Sequence, residues 1–463
     1  MAINSILKDK TFEVVTLGCR TNHYEAEAIA SMLEARGARY RKFQSGGAPD
    51  ILVLVTCSIT AVADAKARKL IRRLRRRHPA ALLVATGCFV QGKEDEEVLG
   101  LGVDVSVGNR LKATLPQAIE AWFESRNPSA SRIDVLRREV HWDDLRLDRP
   151  RIHTRAFVKV QEGCSRACSY CIVPSVRGPQ VSRDPREVVR EVAEITASGC
   201  REIVLTGIHL GGYRHERAML ADLIAGLAAV PGLERLRLGS IEPFSIDDRL
   251  LSALAGLPAF CPHVHVPLQS GDDEILKRMR RGHTAADFVS TIRRIRAALG
   301  DDAHLSTDLI VGFPGEDEAA FERSLALIGD LGFGKIHVFP FSPRAGTPAA
   351  VMTDAVSRDQ VKQRVARAGA FSAELLAKYA ERWVSRSDTV MIEYLQEMTD
   401  VARPVATGWT RHYLKSYFQT ACDKVTAGDI VTFVPKSTVR GILRGDGLTA
   451  SFAPLDDDAN GAI

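Results

Sequence analysis

Apolar strand-like runs alternate with helical periods through the first part of the chain. The order of these segments is Phe12–Leu17, Tyr24–Arg36, Ile51–Val55, Ala63–Arg77 and Leu82–Ala85, the second and fourth being helical. Alternation of strands and helices is typical of a parallel sheet covered by helices. We therefore predict an α/β domain with a parallel sheet over residues 1–120.

Periodicity fades over residues 121–150, which predicts a linker with a short strand at Ile133–Leu136. Residues 151–385 then carry six strand-like runs separated by helical sequence. They are Ala156–Val160, Glu202–Leu205, Leu236–Leu238, Val264–Val266, Leu305–Val311 and Lys335–Phe339. Six parallel strands are too few for a closed eight-stranded barrel, so we predict an open partial (βα)6 barrel. A long helix at Ser357–Trp383 follows it.

The pattern becomes all-β over residues 386–455, where short apolar runs are separated by Gly and Asp. The predicted strands are Thr389–Tyr394, Trp409–Lys415, Gln419–Ala421, Ile430–Val434 and Leu448–Phe452. Several short strands broken by turns predict a small β-barrel. The acidic tail at 456–463 is expected to be disordered.

Composition places the chain among soluble globular proteins. Of its 463 residues 45% are apolar and 26% are charged, and no apolar run approaches membrane-spanning length. The N-terminus lacks the pattern of a signal peptide. Nine Cys without an export signal indicate a reducing compartment, so we expect a cytoplasmic protein whose thiols bind metals. The net charge of +5 suits a nucleic-acid partner.

Three of the thiols lie within eight residues, directly after the strand Ala156–Val160. Cys164, Cys168 and Cys171 have C-x3-C-x2-C spacing, and the next thiol is Cys200. A loop with this spacing can place three thiolates around one metal centre. Structural zinc sites are usually closed by four protein ligands, whereas three ligands leave a position open for chemistry. The alternative is chance clustering of buried cysteines.

Three further thiols each follow a strand of the N-terminal domain, namely Cys19, Cys57 and Cys88. The carboxyl ends of parallel strands meet at one edge of a sheet, where ligands gather. The repeated placement therefore predicts a second three-thiolate cluster. Buried cysteines that end strands for packing reasons are the alternative.

The loop from Gln161 to Pro174 closely resembles the signature of radical S-adenosylmethionine (SAM) enzymes. The resemblance implies a 4Fe-4S cluster on Cys164, Cys168 and Cys171 whose fourth iron binds SAM. The segments around Cys19, Cys57 and Cys88 resemble the three cysteine motifs of the methylthiotransferase family. These imply an auxiliary 4Fe-4S cluster. Segments 408–413 and 427–431 loosely resemble the TRAM domain, an RNA-binding barrel.

Residues at the strand ends are candidates for SAM binding. Tyr170 matches an aromatic residue near the SAM adenine, and the turn with Gly207 resembles a segment near the methionyl end. Ser240 and Glu242 lie where polar SAM contacts occur in the family. Gln269 follows the next strand, at the barrel edge where chemistry is expected. No catalytic residue beyond the cluster ligands is predicted.

Basic residues on the helix after Cys57 are candidates for RNA binding, in particular Arg72, Arg73 and Arg76. Clustered Arg neutralises a phosphate backbone, although a run of charges is as often a solvated helix face. In the C-terminal region, Arg411 and Lys415 with nearby aromatics are further candidates.

The resemblance implies that a radical generated from SAM abstracts hydrogen from the substrate and that the auxiliary cluster supplies sulfur. Such C–H chemistry lies beyond side-chain acid–base catalysis. The residues after Cys19 are most similar to the type that modifies N6-threonylcarbamoyladenosine at tRNA position 37. The isopentenyladenosine type ranks second, because it has Asp-Ser where this chain has Tyr24-Glu25. The type acting on a ribosomal-protein aspartate ranks third.

The expected partners are a tRNA anticodon stem-loop and a reductant such as flavodoxin or ferredoxin, and the protein is expected to be a monomer. The sulfur donor stays open. A different class of protein, a non-catalytic RNA-binding protein whose thiols hold zinc, is the rival hypothesis.

Overall fold

Six parallel strands and five α-helices build the described part of the N-terminal region in the computed structural model. The strands are β1 (Thr11–Thr16), β2 (Arg39–Tyr40), β3 (Ile51–Thr56), β4 (Leu82–Gly87), β5 (Val105–Val107) and β6 (Ala130–Arg132). The helices are α1 (Arg20–Ala35), α2 (Ala61–Arg77), α3 (Cys88–Gln91), α4 (Asp95–Leu99) and α5 (Leu115–Ser125). The sheet order is β2-β1-β3-β4-β5-β6, and each neighbouring pair is parallel. The predicted parallel α/β sheet is confirmed.

The structure describes residues 5–43, 47–125, 130–132, 142–397, 404–420 and 424–445. The strands predicted at Ile133–Leu136 and Leu448–Phe452 and the tail at 456–463 lie outside these ranges. Among the described residues, every helix is too short or too polar to span a membrane.

Two apolar layers sandwich the N-terminal sheet. Every residue of β3 is buried, since Val53 and Val55 face the layer containing Ile29 while Leu52 and Leu54 face the other layer. Burying one such side chain contributes roughly 1.5–3 kcal/mol. The alternation of β3 side chains between two helix layers explains its continuous apolar sequence.

Helix α1 begins four residues earlier than the periodicity predicts. Cys19 is its N-cap with extended backbone, and Arg20 is its first helical residue. The Asn22 side chain donates to the carbonyl oxygens of Leu17 and Thr56, at 2.6 and 3.0 Å. These bonds fix the first turn of α1 against the ends of β1 and β3, and apolar periodicity does not reveal them.

The central region contains nine strands and eight helices. The strands are β7 (Ala156–Glu162), β8 (Val181–Ser182), β9 (Glu202–Gly207), β10 (Arg214–His215), β11 (Ala218–Met219), β12 (Arg235–Leu238), β13 (His263–His265), β14 (His304–Val311) and β15 (Lys335–Pro340). The helices are α6 (Val173–Arg177), α7 (Pro185–Ala197), α8 (Leu220–Leu227), α9 (Asp248–Ala255), α10 (Asp273–Met279), α11 (Ala285–Leu299), α12 (Glu318–Asp330) and α13 (Arg358–Glu381).

Six of these strands, β7, β9, β12, β13, β14 and β15, form a partial barrel. β7, β9 and β12 pair in parallel, as do β13, β14 and β15, and a parallel bridge between Leu236 and Phe260 joins the two groups. Apolar side chains of these strands, such as Val158, Leu236 and Leu305, pack outward against the helices. The predicted open (βα)6 barrel is confirmed, with a polar interior.

The described part of the C-terminal region forms a six-stranded sheet with the order β19-β16-β17-β18-β21-β20. Its strands are β16 (Asp388–Gln396), β17 (Val405–Thr410), β18 (Lys415–Gln419), β19 (Ile430–Phe433), β20 (Ser437–Val439) and β21 (Ile442–Arg444). The single strand predicted over Trp409–Lys415 is wrong. Tyr413 has a φ of +58°, so the chain turns there and connects two antiparallel strands.

The turn between β17 and β18 closes the barrel at the amino ends of its strands. Arg237 donates to the carbonyl oxygens of Thr410 and Arg411, at 2.7 and 3.0 Å. Arg235 donates to the carbonyl oxygen of Trp409 at 3.0 Å. The Tyr413 ring stacks on His263 inside the barrel, with 4.6 Å between the ring centroids.

Candidate active site between two thiol clusters

The first thiol site comprises Cys19, Cys57 and Cys88. These residues follow β1, β3 and β4, which are adjacent parallel strands, so the three thiols lie at one edge of the sheet. Gly18 has a φ of +108°, and a side-chain carbon there would lie 2.6 Å from the Cβ of Cys57. Glycine therefore allows the strand end before Cys19 to approach Cys57.

Burial raises the pKa values of two thiols of the first site. Burial raises the pKa of the Cys57 thiol, and the neighbouring Cys19 and Cys88 raise it further, to about 12. Burial also raises the pKa of Cys19. Such thiols stay protonated at neutral pH unless a metal centre binds them, since the thiolate is the metal ligand. Three thiols at one sheet edge, two of them buried and one half-buried, fit the iron–sulfur cluster that the sequence predicts.

Arg177 is the cation closest to the first site, and it is fully buried at the end of α6. Its Nε donates to the Sγ of Cys88 at 3.0 Å, and its Nη2 donates to Oδ1 of Asn22 at 2.5 Å. A hydrogen bond and a positive charge on a thiolate sulfur stabilise the thiolate. Hydrogen bonds to the sulfurs also tune the reduction potential of an iron–sulfur cluster.

The guanidinium of Arg177 also belongs to a buried network of four further charges. It donates to Oε1 of Glu25 at 2.6 Å and lies 3.1 Å from Oε2 of Glu162. Lys159 binds both carboxylates, at 3.0 and 2.8 Å, and Lys112 lies 3.3 Å from Glu25. Burial alone would raise the pKa of Glu25, but Arg177 and the two lysines outweigh burial and lower it.

The second thiol site comprises Cys164, Cys168 and Cys171 on the loop after β7. Burial raises the pKa of the Cys171 thiol to about 12, with Cys168 and Cys164 adding to the effect. Ser169 anchors the loop, because its backbone N–H donates to the carbonyl oxygen of Met279 and its hydroxyl donates to that of Arg278. Glu162, two residues before Cys164, connects this loop to the Arg177 network.

Arg281 organises the polar groups beside the second site. It donates to the Sγ of Cys168 at 3.6 Å and to the hydroxyl of Tyr170 at 3.3 Å, and it forms an ion pair with Glu242. Burial raises the pKa of Tyr170, so its hydroxyl stays protonated. Tyr170 and Glu242, two predicted SAM-contacting residues, are thus within reach of one guanidinium.

The other predicted SAM-contacting residues lie at the same carboxyl edge of the barrel. Gly207 ends β9, and a side-chain carbon there would lie 2.9 Å from the Cβ of Gln161. Ser240 follows β12 and is exposed. Gln269 follows β13 with a φ of +71°, and its N–H donates to the carbonyl oxygen of Asp308 at 2.9 Å. Their contacts with SAM stay predictions.

Sequence reasoning missed Arg177 and Arg281. Arg177 follows the last loop cysteine by six residues, and its proximity to that loop is the one sequence signal available. Arg281 lies more than a hundred residues beyond the loop, and its contact with Cys168 arises only from the barrel fold.

The predicted RNA-binding residues fall into two groups. Arg72, Arg73 and Arg76 lie exposed on α2. By contrast, Arg411 donates to the carbonyl oxygens of Pro258 and Phe260, each at 2.7 Å, so it holds the C-terminal region against the barrel. Lys415 is half-buried over the ring of Tyr417. RNA contacts by these residues stay predictions.

The distances between the thiols of each site indicate which kind of metal centre they can hold. Within the described ranges, no three His, Cys, Asp or Glu side chains gather closely enough to hold a single metal ion. The ligands of a four-iron cluster bind separate iron atoms and do not have to converge on one point.

Two family models match the chain and identify its class. Residues 158–328 match the radical SAM superfamily, and residues 11–108 match a model described as "Uncharacterized protein family UPF0004". A solved structure of the radical SAM methyltransferase TsrM from Kitasatospora setae superposes with a TM-score of 0.56 at 15% identity. The match covers 74% of each chain and shows the shared fold. The chain is a radical SAM enzyme.

Two curated relatives show which family of radical SAM enzymes the chain belongs to. The chain is 36% identical over 415 residues to threonylcarbamoyladenosine tRNA methylthiotransferase MtaB of Bacillus subtilis, covering 89% of this chain and 90% of the relative. It is 34% identical over 399 residues to tRNA-2-methylthio-N(6)-dimethylallyladenosine synthase of Burkholderia thailandensis, covering 83% and 85%. The chain belongs to the radical SAM methylthiotransferase family. Its cofactors are SAM and 4Fe-4S clusters, as the sequence predicted.

Proposed function

We propose that the chain adds a methylthio group to C2 of N6-threonylcarbamoyladenosine at position 37 of tRNA. The arrangement that carries the proposal is a pair of three-thiol sites, with the buried Arg177 bound both to Cys88 of the first site and to Glu162, two residues before the loop of the second. The similarity to the MtaB relatives of Bacillus subtilis and Thermotoga maritima supports this substrate, because it extends over about nine tenths of each chain.

Each thiol site has a separate task in this proposal. Cys164, Cys168 and Cys171 hold the cluster that binds SAM, and Cys19, Cys57 and Cys88 hold the auxiliary cluster. When bound, the clusters supply the electron for SAM cleavage and the sulfur for transfer. Tyr170, Gly207, Ser240, Glu242 and Gln269 line the SAM pocket at the barrel edge. The Arg281–Glu242 ion pair fixes the polar side of that pocket.

The anticodon stem-loop, a flavodoxin or ferredoxin as reductant, the monomeric state and the cytoplasmic location stay predictions. A second candidate substrate is the adenosine that carries a dimethylallyl (isopentenyl) group. It is favoured by relatives named for that reaction, which are 34–35% identical to this chain. The ribosomal-protein aspartate stays a prediction from the sequence alone.

Mass spectrometry of tRNA nucleosides from a deletion strain tests the substrate. We expect methylthio-threonylcarbamoyladenosine to disappear and to return when the intact gene is restored. Persistence of that nucleoside, with loss of the methylthio-isopentenyl analogue instead, would transfer the assignment to the second candidate.

Replacing Cys168 with alanine separates the tasks of the two sites. Anaerobically purified protein should be brown with about eight iron atoms per chain, and the variant should retain about four. The variant should lose SAM cleavage, because the cluster that it loses is the one that binds SAM in this proposal. The matched variant Cys57→Ala should also retain about four iron atoms but keep SAM cleavage. Colourless, zinc-loaded protein would support the rival zinc hypothesis, and retained cleavage in Cys168→Ala would refute the division of tasks.

A further inference from the structure

Arg20 reaches from the N-terminal sheet into the barrel. It is the first residue of α1 and directly follows Cys19 of the first thiol site. Its Nη1 donates to the carbonyl oxygen of Leu238 at the end of β12, at 3.1 Å. The neighbouring Thr21 lies 3.4 Å from Thr206 on β9, measured between the hydroxyl oxygens. The side chain of Arg20 is thereby directed at the interior of the barrel, beside the first thiol site.

Arg20 has no acidic partner among the described residues. Its contacts are the Leu238 carbonyl, the Tyr413 hydroxyl at 3.4 Å and the face of the Tyr413 ring. Other arginines directed into the barrel have an acidic partner. Arg237 shares Glu202 with Arg155 and Arg235, and Arg281 pairs with Glu242. An arginine keeps its charge at any physiological pH, and its fork can bind a carboxylate through two parallel hydrogen bonds.

The wall facing Arg20 carries His263, His265 and His337 together with Asp308. Burial lowers the pKa of His263 well below its usual value, and Arg20 lowers it further. Burial and the neighbouring His265 lower the pKa of His337 to about 4. The one carboxylate on this wall, Asp308, is already bound by His265 at 3.1 Å. His337 is exposed on β15, so this interior is accessible from the open side of the barrel.

The two candidate substrates differ in the group that such a site would recognise. A threonylcarbamoyl group ends in a carboxylate, whereas a dimethylallyl group is entirely apolar. Placing an unpaired guanidinium against an apolar group leaves the charge desolvated without compensation. A site with an unpaired arginine therefore favours the charged group and disfavours the apolar one.

We propose that Arg20 is the specificity-determining residue that binds the carboxylate of the threonylcarbamoyl group, an inference that rests on the proposed function. Tyr413 orients the guanidinium, and His263 and His337 line the path of the modified base. The binding of the carboxylate beside Cys19 holds the modified adenine against the first thiol site.

Binding of synthetic anticodon stem-loop RNAs to the full-length protein with both clusters tests the proposal. Three RNAs differ only at position 37, which carries threonylcarbamoyladenosine, its carboxamide analogue or isopentenyladenosine. The wild type should bind the carboxylate RNA about tenfold or more tightly than the carboxamide RNA. Arg20→Gln should bind the two equally, and Arg20→Lys should retain part of the difference. The exposed Arg217→Gln on the β10–β11 hairpin is the matched control and should retain the full difference.

The outcomes separate this inference from the proposed function. If the wild type prefers the carboxylate RNA and Arg20→Gln keeps that preference, the role of Arg20 is refuted while the proposed function stands. If the wild type prefers the isopentenyl RNA, both are refuted. Iron content and thermal melting of Arg20→Gln should equal those of the wild type. A loss of iron with equal weakening for all three RNAs would make Arg20 a structural residue only and overturn the proposal.

Discussion

Replacing Arg177 with methionine is expected to lower the free energy of unfolding by about 3–5 kcal/mol, the usual cost of breaking a buried ion pair from one side. Glu25 and Glu162 would both stay buried without this partner, and the Sγ of Cys88 would lose its hydrogen bond. We also expect the variant to retain iron at the second site but to lose most of it at the first. Urea unfolding and iron analysis of the anaerobic protein measure the two effects.

Two controls accompany the Arg177 variant. Arg190 on α7 has a half-exposed ion pair with Glu187, so Arg190→Met should change the unfolding free energy by less than about 1 kcal/mol. Arg177→Lys keeps the positive charge but loses the planar guanidinium group with its paired N–H donors. It should recover part of the stability and shift the reduction potential of the first cluster, which a purely structural residue would leave unchanged. Full iron content in Arg177→Met would contradict the role assigned to this residue.

Replacing Glu202 with glutamine is expected to lower the free energy of unfolding by about 3–5 kcal/mol, because it weakens the interface between the barrel and the C-terminal sheet. Glu202 is fully buried and lies 2.9 Å from Arg237, 3.3 Å from Arg155 and 3.4 Å from Arg235. Without its charge, three buried guanidinium groups would lack their common carboxylate. The exposed Glu234, paired with Arg201 at the surface, is the matched control, and Glu234→Gln should have little effect.

The same carboxylate predicts a dependence of stability on pH. Burial alone would raise the pKa of Glu202, but Arg237 and Arg155 outweigh burial and lower it from 4.5 to about 2. A depressed pKa in the folded state stabilises the protein above pH 4.5, and this contribution is lost as the pH falls toward 2. The shift corresponds to about 3 kcal/mol. Unfolding measured between pH 7 and about 3 should show a steeper acid loss for the wild type than for Glu202→Gln, and parallel curves would contradict this assignment.

The positions of the thiols were predictable because they are local or follow from strand order, and the clusters on them stay a prediction. Cys164, Cys168 and Cys171 share one loop, and Cys19, Cys57 and Cys88 each follow a strand of one parallel sheet. Strand periodicity was sufficient to locate the six barrel strands to within a few residues. Both kinds of inference depend on repeating patterns that are visible along the chain.

Residues whose roles depend on long-range contacts escaped prediction. Tyr24 and Glu25, which the sequence singled out as markers of substrate type, are fully buried, and they bind Leu145, Glu191 and Arg177 as parts of the scaffold. Arg20, in the same segment, is directed at the barrel interior. Arg20 donates to the carbonyl oxygen of Leu238, which lies about two hundred residues further along the chain. The apolar periodicity of a sequence does not reveal such a polar contact.

The docking of the C-terminal sheet on the barrel has a consequence for how this family can diverge. Arg235 and Arg237 bind the β17–β18 turn through carbonyl oxygens of the main chain, and His304 likewise contacts the carbonyl oxygen of His412. Every amino acid offers the same carbonyl, so most substitutions in the turn leave these bonds unchanged. These main-chain bonds constrain the barrel side, which supplies the donors. Within the turn, Arg411 and Tyr413 are constrained by their own side-chain contacts with the barrel.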